Sequence, residues 1–167
     1  MDFHVGDPVI HWSYGLGEIV GLEERAVTSE TTLYYLVRVQ NLTICVPADD
    51  NALNRLRRPT SEDEFKNLFV ILSEPSGSLS EDRLVRKTQL RKELAGGKAE
   101  SICRVVRDLT SFSKKKPLND DDKTTLKRAW NLLCSEWKYA MSLPLAQVEA
   151  ELQRLLLQQQ PVEIPVV

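Results

Sequence analysis

The chain has 167 residues, of which 42% are hydrophobic and 28% are charged, and its formal net charge is −2. This composition predicts one domain or two small ones with enough apolar residues for a core, and it excludes a chain-wide electrostatic attraction to nucleic acid. No apolar run reaches about 18 residues and the N-terminus lacks the basic and apolar regions of a signal peptide, so we expect neither a membrane span nor secretion.

The stretch VGDPVIHWSYGLGEIVGLEER, residues 5–25, raises the question of a phosphate-binding loop because it is rich in glycine. Such a loop needs G-x-G-x-x-G opening a helix, so that backbone N–H groups meet the phosphates. Here Gly15 and Gly17 are followed by Gly21, one place too late, and the intervening residues alternate like a strand. No G-x-x-x-x-G-K-[ST] occurs either. The pattern favours a hairpin over nucleotide binding.

Residues 1–59 predict a β domain. Four short runs are rich in β-branched and aromatic residues and are bounded by turn residues: VIHW (9–12), EIVGL (18–22), LYYLVRVQ (33–40) and LTICV (42–46). In the third run, alternate residues from Leu33 to Val39 form an apolar face and the others a mixed face. Asn41 marks a hairpin turn, and Pro47 ends the sheet because proline cannot donate to a ladder. Four or five strands without a helix predict a small SH3- or Tudor-like antiparallel barrel.

From about residue 60 the apolar period becomes helical, and residues 60–158 predict an all-α domain of five helices. The first has a cap at Thr60 or Ser61, and the second, about 81–95, stops at two glycines. The third covers about 98–111, and SKKKP (113–117) is a connector. The fourth is capped by Asn119 and the last opens at Pro144. The fold class is therefore α+β, with a disordered tail at 159–167.

Charge is unevenly distributed along this near-neutral chain. Residues 1–59 hold five Lys/Arg against eight Asp/Glu, whereas residues 60–167 hold seventeen against sixteen. Within the second part, RLVRKTQLRK (83–92) has five basic residues and no acidic one. Only such a local patch is expected to attract phosphate.

The residues that most often carry chemistry form no motif in this sequence. Cys45, Cys103 and Cys134 are far apart and without C-x-x-C, which predicts reduced structural thiols in a cytoplasmic protein. His4 and His11 lie in or beside strands with no ligand at metal-binding spacing, which favours sheet packing over a metal site. No catalytic spacing is present. We therefore expect neither an enzyme nor a cofactor.

Several motifs occur along the chain in a particular order: F-x-V-G-D-x-V at the start, E-x-R at 23–25, YLVRV at 35–39, TICVPA at 43–48, VVRDL at 105–109, the leucine opening the next helix and A-x-x-L-L at 129–133. In order and spacing, these motifs resemble the CarD/CdnL family of bacterial RNA polymerase-binding transcription regulators. The resemblance spans roughly residues 1–157. The resemblance implies that a Tudor-like domain docks on a lobe of the RNA polymerase β subunit. The helical domain would reach promoter DNA at the upstream edge of the bubble and hold it open.

The resemblance also implies contact residues in the first domain. Arg25 matches a polymerase-contacting arginine, which would donate charge-assisted hydrogen bonds to an acidic patch. The alternative is a solvated arginine at a strand end. A second basic contact of the family falls on Cys45, a departure, although Val46 and Pro47 could still line the surface. Edge-strand pairing would depend on backbone groups and would survive such changes.

In the helical domain the family's wedge tryptophan is absent. Its place falls on Arg83, or on Asp82 or Leu84 after a one-residue shift. Arg86 matches a basic family position, and with Arg83, Lys87 and Arg91 it predicts a face toward DNA phosphates, against the alternative of a solvated helix face. Three candidates remain. Lys123 matches a basic family position but follows three aspartates. Core packing is favoured for Trp137, whereas packing and base stacking are both open for Trp130.

The resemblance thus implies a cytoplasmic, nucleoid-associated and monomeric transcription regulator that binds the RNA polymerase β subunit and stabilises the promoter open complex through contacts without sequence specificity. Loss of the wedge predicts a weaker or more salt-sensitive effect. The chief alternative is a protein–protein adaptor that never touches DNA. A hydrolase or metalloenzyme built on the helical domain is the third, and it would need a deep polar pocket.

Overall fold

The computed structural model describes residues 2–158. The chain forms two compact units: the first runs up to Thr60 and includes Ala95–Gly97, and the second contains the other described residues. The architecture is α+β, with a five-stranded antiparallel sheet in the first unit and helices in the second.

The sheet of the first unit is built from strands in the order β4-β3-β2-β1-β5. All neighbours are antiparallel. The strands are β1 (Pro8–His11), β2 (Gly15–Val27), β3 (Glu30–Val39), β4 (Leu42–Pro47) and β5 (Leu56–Arg57), with a short helix α1 (Ala52–Arg55) before β5. Within the described residues, β4 and β5 are therefore the two ends of the sheet. The Tudor-like likeness of this sheet stays a prediction.

Two-residue turns join the long central strands. Val27 pairs with Glu30, and Val39 pairs with Leu42. Asn41 lies in the second turn, which confirms the predicted hairpin, and its neighbour Gln40 holds the left-handed position with φ 55°.

The predicted alternation along β3 is confirmed. Tyr35, Val37 and Val39 are buried in the core of the first unit, whereas Arg38 is exposed. The glycine question is also answered. Gly15 has φ +82°, and a Cβ on Gly17 would lie 2.7 Å from the carbonyl oxygen of Arg38. These glycines let β2 begin tightly and pass close to β3, as a hairpin requires.

Two features of the first unit differ from the expectation. Strands β2 and β3 extend through residues 23–32, where polar side chains give no apolar alternation, because backbone pairing across the hairpin suffices there. Helix α1 follows Pro47 in a stretch expected to hold no helix, with Ala52 buried in the core. Four residues were too few for a periodic pattern to appear.

The second unit contains α2 (Glu62–Ser73), α3 (Arg83–Leu94), α4 (Ala99–Lys115), α5 (Asp120–Met141) and α6 (Leu145–Leu157). Capping boxes begin α2 and α5: Ser61 pairs reciprocally with Glu64, and Asn119 with Asp122. Helix α4 continues to Lys115, so most of the lysine run expected as a connector is helical. The predicted tail lies outside the described residues.

Tryptophan positions in the second unit follow the core. Trp137 is fully buried, with its ring centroid 5.6 Å from that of Phe65 and 4.8 Å from that of Phe69, so its predicted packing role is confirmed. Trp130 is partly buried and packs against the same cluster. Its surroundings favour packing over base stacking.

Candidate functional site

The outer edge of β4 presents backbone groups that no other strand pairs within the described residues. The amide of Ala48 donates a hydrogen bond of 2.8 Å to the carbonyl of Leu33. In an antiparallel pair every second residue directs its backbone N–H and C=O groups toward the partner strand, so this bond shows which residues of β4 do so. It follows that Thr43, Cys45 and Pro47 direct their backbone groups away from β3. Proline occupies an outward position, where its missing N–H costs no ladder bond.

Near this edge, four residues lie on the face of the sheet that is turned away from the core. We call these four residues together the docking edge: Arg25, Tyr34, Cys45 and Pro47. Tyr34 lies opposite Glu23 on β2 and Pro47 on β4, and Arg25 lies close by along β2. The guanidinium carbon of Arg25 is 5.9 Å from the ring centroid of Tyr34. A hydrogen bond of 3.3 Å to Glu23 raises the pKa of Arg25.

Arg25 is therefore positioned by its neighbours but remains available. Half of its side chain is exposed, and so is nearly half of the Glu23 side chain. An exposed pair of this kind contributes little to stability, so an acidic partner group could replace Glu23 at little cost.

Val46 does not share this surface. It lies opposite Tyr35 and is 2% exposed, on the core side of the sheet. This corrects its assignment as a lining residue, because successive side chains of a strand point to opposite faces. Cys45 and Pro47 lie on the outer face, as the docking prediction needs.

Helix α3 carries the cations expected to face DNA. Asp82 caps the helix, accepting from the amides of Leu84 and Val85 at 3.0 Å. The exposed residues Arg83, Lys87 and Arg91 recur every four positions and so form one stripe, the α3 cation face. Among residues 2–158, Arg83 and Arg91 form no ion pair, whereas Lys87 lies 3.5 Å from Asp121.

Arg86 belongs to the interior and not to that face. Its Nε and Nη2 donate to the two carboxylate oxygens of Asp122 at 3.0 and 2.8 Å, and only 4% of each side chain is exposed. These hydrogen bonds raise the pKa of the Arg86 guanidinium. The prediction that Arg86 contacts phosphate is thereby corrected, because a buried guanidinium with its fork filled has no donor to offer DNA.

The place expected for the family's tryptophan, Arg83, is exposed, and two exposed apolar residues follow it in the first turn of α3. Leu84 is 77% exposed and Val85 50% exposed. Much of their apolar surface is therefore open to a partner.

Two further termini lie next to the start of α3. Lys116, just after α4, forms a 2.9 Å ion pair with Glu81, and Phe112 of α4 lies under the Arg86 guanidinium at 4.6 Å. Lys123, in the first turn of α5, is exposed. Lys115 and Lys116 were expected in a connector and so were not among the predicted site residues. Lysines are favoured near the C-terminal end of a helix, which was the indication in the sequence that α4 extends to this point.

The remaining reactive residue types form no site in the described part of the chain. Residues 2–158 contain no group of three His, Cys, Asp or Glu side chains placed to hold a metal ion. Burial raises the pKa of the Cys134 thiol to about 12 and that of Cys103 further, so neither is a ready nucleophile. His4 is exposed beside Asp7, which corrects its expected packing role. Within the same residues, no helix is long and apolar enough to span a membrane.

We expect His11 to make the turn after β1 sensitive to acid. Its Nδ1 accepts from the amides of Ser13 and Tyr14 at 3.1 Å each, and burial lowers its pKa below 6.5. The unfolded chain binds a proton at His11 at a higher pH than the folded chain does. The contribution of His11 to the stability of the folded state is therefore fully present above about pH 6.5, and it is lost as the pH falls through the lowered pKa of the folded state.

We expect the urea midpoint of the first unit, followed by its amide NMR signals, to fall between pH 7 and pH 5. His11→Asn keeps an acceptor near Nδ1 without titrating, so its midpoint should fall less. Equal falls in both proteins would contradict the assignment.

Comparison with known proteins is consistent with a two-part regulator. Residues 3–60 match the family model of the CarD-like/TRCF RID domain, and residues 67–153 match that of the CarD C-terminal domain. These two modules in this order define a class of transcription regulators rather than enzymes.

A relative supports the same assignment along most of the chain. The "Putative transcription factor YdeB" of Bacillus subtilis (strain 168) is 27% identical over 154 residues, covering 89% of this chain and 98% of that protein. The chain belongs to the CarD/CdnL family.

Proposed function

We propose that this protein binds the RNA polymerase β subunit through the docking edge and stabilises the promoter open complex through contacts of its second unit with DNA backbone. It acts without sequence specificity, as a monomer in the cytoplasm, associated with the nucleoid through polymerase. The observation that carries the proposal is the open β4 edge flanked by the exposed Arg25, in a chain whose family interacts with RNA polymerase.

The docking step combines two kinds of contact. Outward backbone groups of Thr43 and Cys45 would pair with an extended segment of the β subunit, as in strand addition. Arg25 would exchange Glu23 for a carboxylate of the partner, and Tyr34 and Pro47 would supply apolar area beside it. Backbone pairing explains why the family's second basic contact can be a cysteine here.

The DNA step uses the α3 cation face and Lys123. Arginine and lysine contacts to phosphate position a protein on DNA but do not read its sequence. Leu84 and Val85 would meet apolar base surface where strands separate, with less stacking area than an aromatic ring offers. This supports an effect that is more sensitive to salt than in relatives with the tryptophan.

Regulation would follow from a population shift. A factor that contacts DNA mainly in the open complex stabilises that state by the difference in contact energy between the two states. Contacts of about 1 kcal/mol each would change open-complex occupancy several-fold, since about 1.4 kcal/mol corresponds to a factor of ten.

The direct test is binding of the full chain to purified RNA polymerase and to an isolated β-subunit lobe, measured by interferometry. We expect saturable binding to both. Binding to neither at high micromolar concentration would retire the docking step.

Asp121 provides a prediction in the opposite direction. Because it lies 3.5 Å from Lys87, it competes with phosphate for that cation. Asp121→Asn should strengthen DNA binding by about two- to fivefold, the value of an exposed ion pair. Binding to labelled promoter DNA is measured against Asp63→Asn, whose carboxylate pairs with Lys66 on α2. A gain no larger than that of the control would contradict it.

The adaptor function is the second candidate. The burial of Arg86 and the pairing of Lys87 leave fewer free cations than the sequence suggested. An adaptor predicts polymerase binding that is unchanged by DNA, so adding promoter DNA to the binding assay separates the two.

A further inference from the structure

Arg86 joins the turn before α3 to the end of α4 and the start of α5, which are distant from it in sequence. Its Nε and Nη2 form a fork on Asp122 at the start of α5, and its Nη1 donates to the carbonyls of Ser80 and Glu81 at 3.0 and 3.3 Å. The same guanidinium lies 4.6 Å from the ring centroid of Phe112 near the end of α4. All three guanidinium nitrogens therefore have an acceptor.

Asp122 is equally committed. Besides receiving the fork, it accepts the amide of Asn119 and so completes the capping box of α5. A buried ion pair with further hydrogen bonds is often not a net source of stability, and its best-attested use is to specify one arrangement among alternatives. The question is which arrangement this pair specifies.

The segments it joins carry several of the exposed cations of the second unit. The turn before α3 leads to Arg83 and Lys87, the end of α4 carries Lys115 and Lys116, and the start of α5 carries Lys123. Contacts at the surface agree with this convergence, because Lys116 pairs with Glu81 and Lys87 pairs with Asp121.

We propose that Arg86 is a positioning residue for nucleic-acid binding: through Asp122, Phe112 and the Ser80–Glu81 carbonyls it holds the ends of α3, α4 and α5 so that their cations form one phosphate-binding surface. This inference rests on the proposed DNA contact and adds Lys115 and Lys116 to it. Arg86 never touches the nucleic acid. It fixes the geometry of the residues that do.

The test separates positioning from mere stability with three variants of the full chain. Arg86→Met removes the guanidinium fork and keeps a side chain of similar length. Arg86→Lys keeps the positive charge but lacks the fork. Leu152→Ala is the stability control, because Leu152 on α6 is fully buried and its truncation leaves a cavity in the core. Each is studied at a temperature at which circular dichroism shows it folded. The readouts are amide hydrogen exchange at residues 80–85 and affinity for a fluorescein-labelled duplex with an unpaired central stretch.

For Arg86→Met we expect exchange at residues 80–85 to rise at least about tenfold and DNA affinity to fall by about tenfold. Arg86→Lys should regain part of the thermal midpoint, while its exchange at Ser80 and Glu81 and its DNA affinity stay altered. Leu152→Ala should lower the midpoint and leave both readouts as in the wild type.

Wild-type exchange or wild-type DNA affinity in folded Arg86→Met would overturn the inference, as would an equal loss of affinity in Leu152→Ala. A wild-type chain that does not bind the labelled duplex at any salt concentration would instead retire the DNA step of the proposed function. The exchange measurement would then still decide whether Arg86 holds the turn before α3.

Discussion

Reversing the charge at position 25, in Arg25→Glu, is expected to lower affinity for RNA polymerase by about thirtyfold or more, because removing one partner of a hydrogen-bonded charge pair that becomes buried in an interface costs at least about that factor. The substitution also places a second carboxylate beside Glu23 on the same face of the sheet, which would repel an acidic patch. Because the Arg25 side chain is half exposed and pairs only with Glu23 among the described residues, the sheet should fold as before.

The measurement is interferometry of the full-length variant on immobilised polymerase, with circular dichroism to verify folding. Lys66→Glu is the matched control, since it makes the same charge change at a side chain of α2 that is 67% exposed. Equal affinities of the two variants would show that Arg25 takes no part in docking.

The second large effect concerns the α3 cation face. Changing Arg83, Lys87 and Arg91 together to alanine removes three phosphate-binding cations at about 1 kcal/mol each, so DNA affinity should fall roughly a hundredfold. The slope of log affinity against log salt should also become shallower, by about 0.9 for each duplex phosphate that the variant no longer neutralises.

The change of slope is the more specific readout, because a misfolded variant would bind more weakly without a defined change in salt dependence. The control variant carries Lys66→Ala, Lys138→Ala and Arg154→Ala, which remove equal charge from exposed positions on other helices of the unit. If both triple variants show the same affinity and slope, the effect is net charge alone and the proposed face is wrong.

Local rules accounted for most of the fold. Period-two alternation placed Tyr35 and Val37 in the core, and the polar signatures at Ser61 and Asn119 became capping boxes. Both follow from contacts within a few residues, which a sequence displays directly. Strand ends were less visible, because pairing between β2 and β3 extends both strands through polar residues.

The candidate sites show where such reasoning stops. The exposed positions of Arg25, Arg83 and Lys87 agree with the expected surfaces, but Arg86 reads as one more cation in a basic run until Asp122, thirty-six residues away, is found beside it. Pairing over that distance depends on tertiary structure. The error at Val46 was avoidable, since alternation with Cys45 places it on the opposite face.

Promoter melting gives the most direct test of the whole account. Permanganate reactivity of unpaired thymines, measured while the chain is titrated onto polymerase and promoter, should rise several-fold with the wild-type protein and stay flat with Arg25→Glu. If the chain binds polymerase tightly and thymine reactivity does not change, the proposed contact with DNA in the open complex is contradicted and the adaptor function remains.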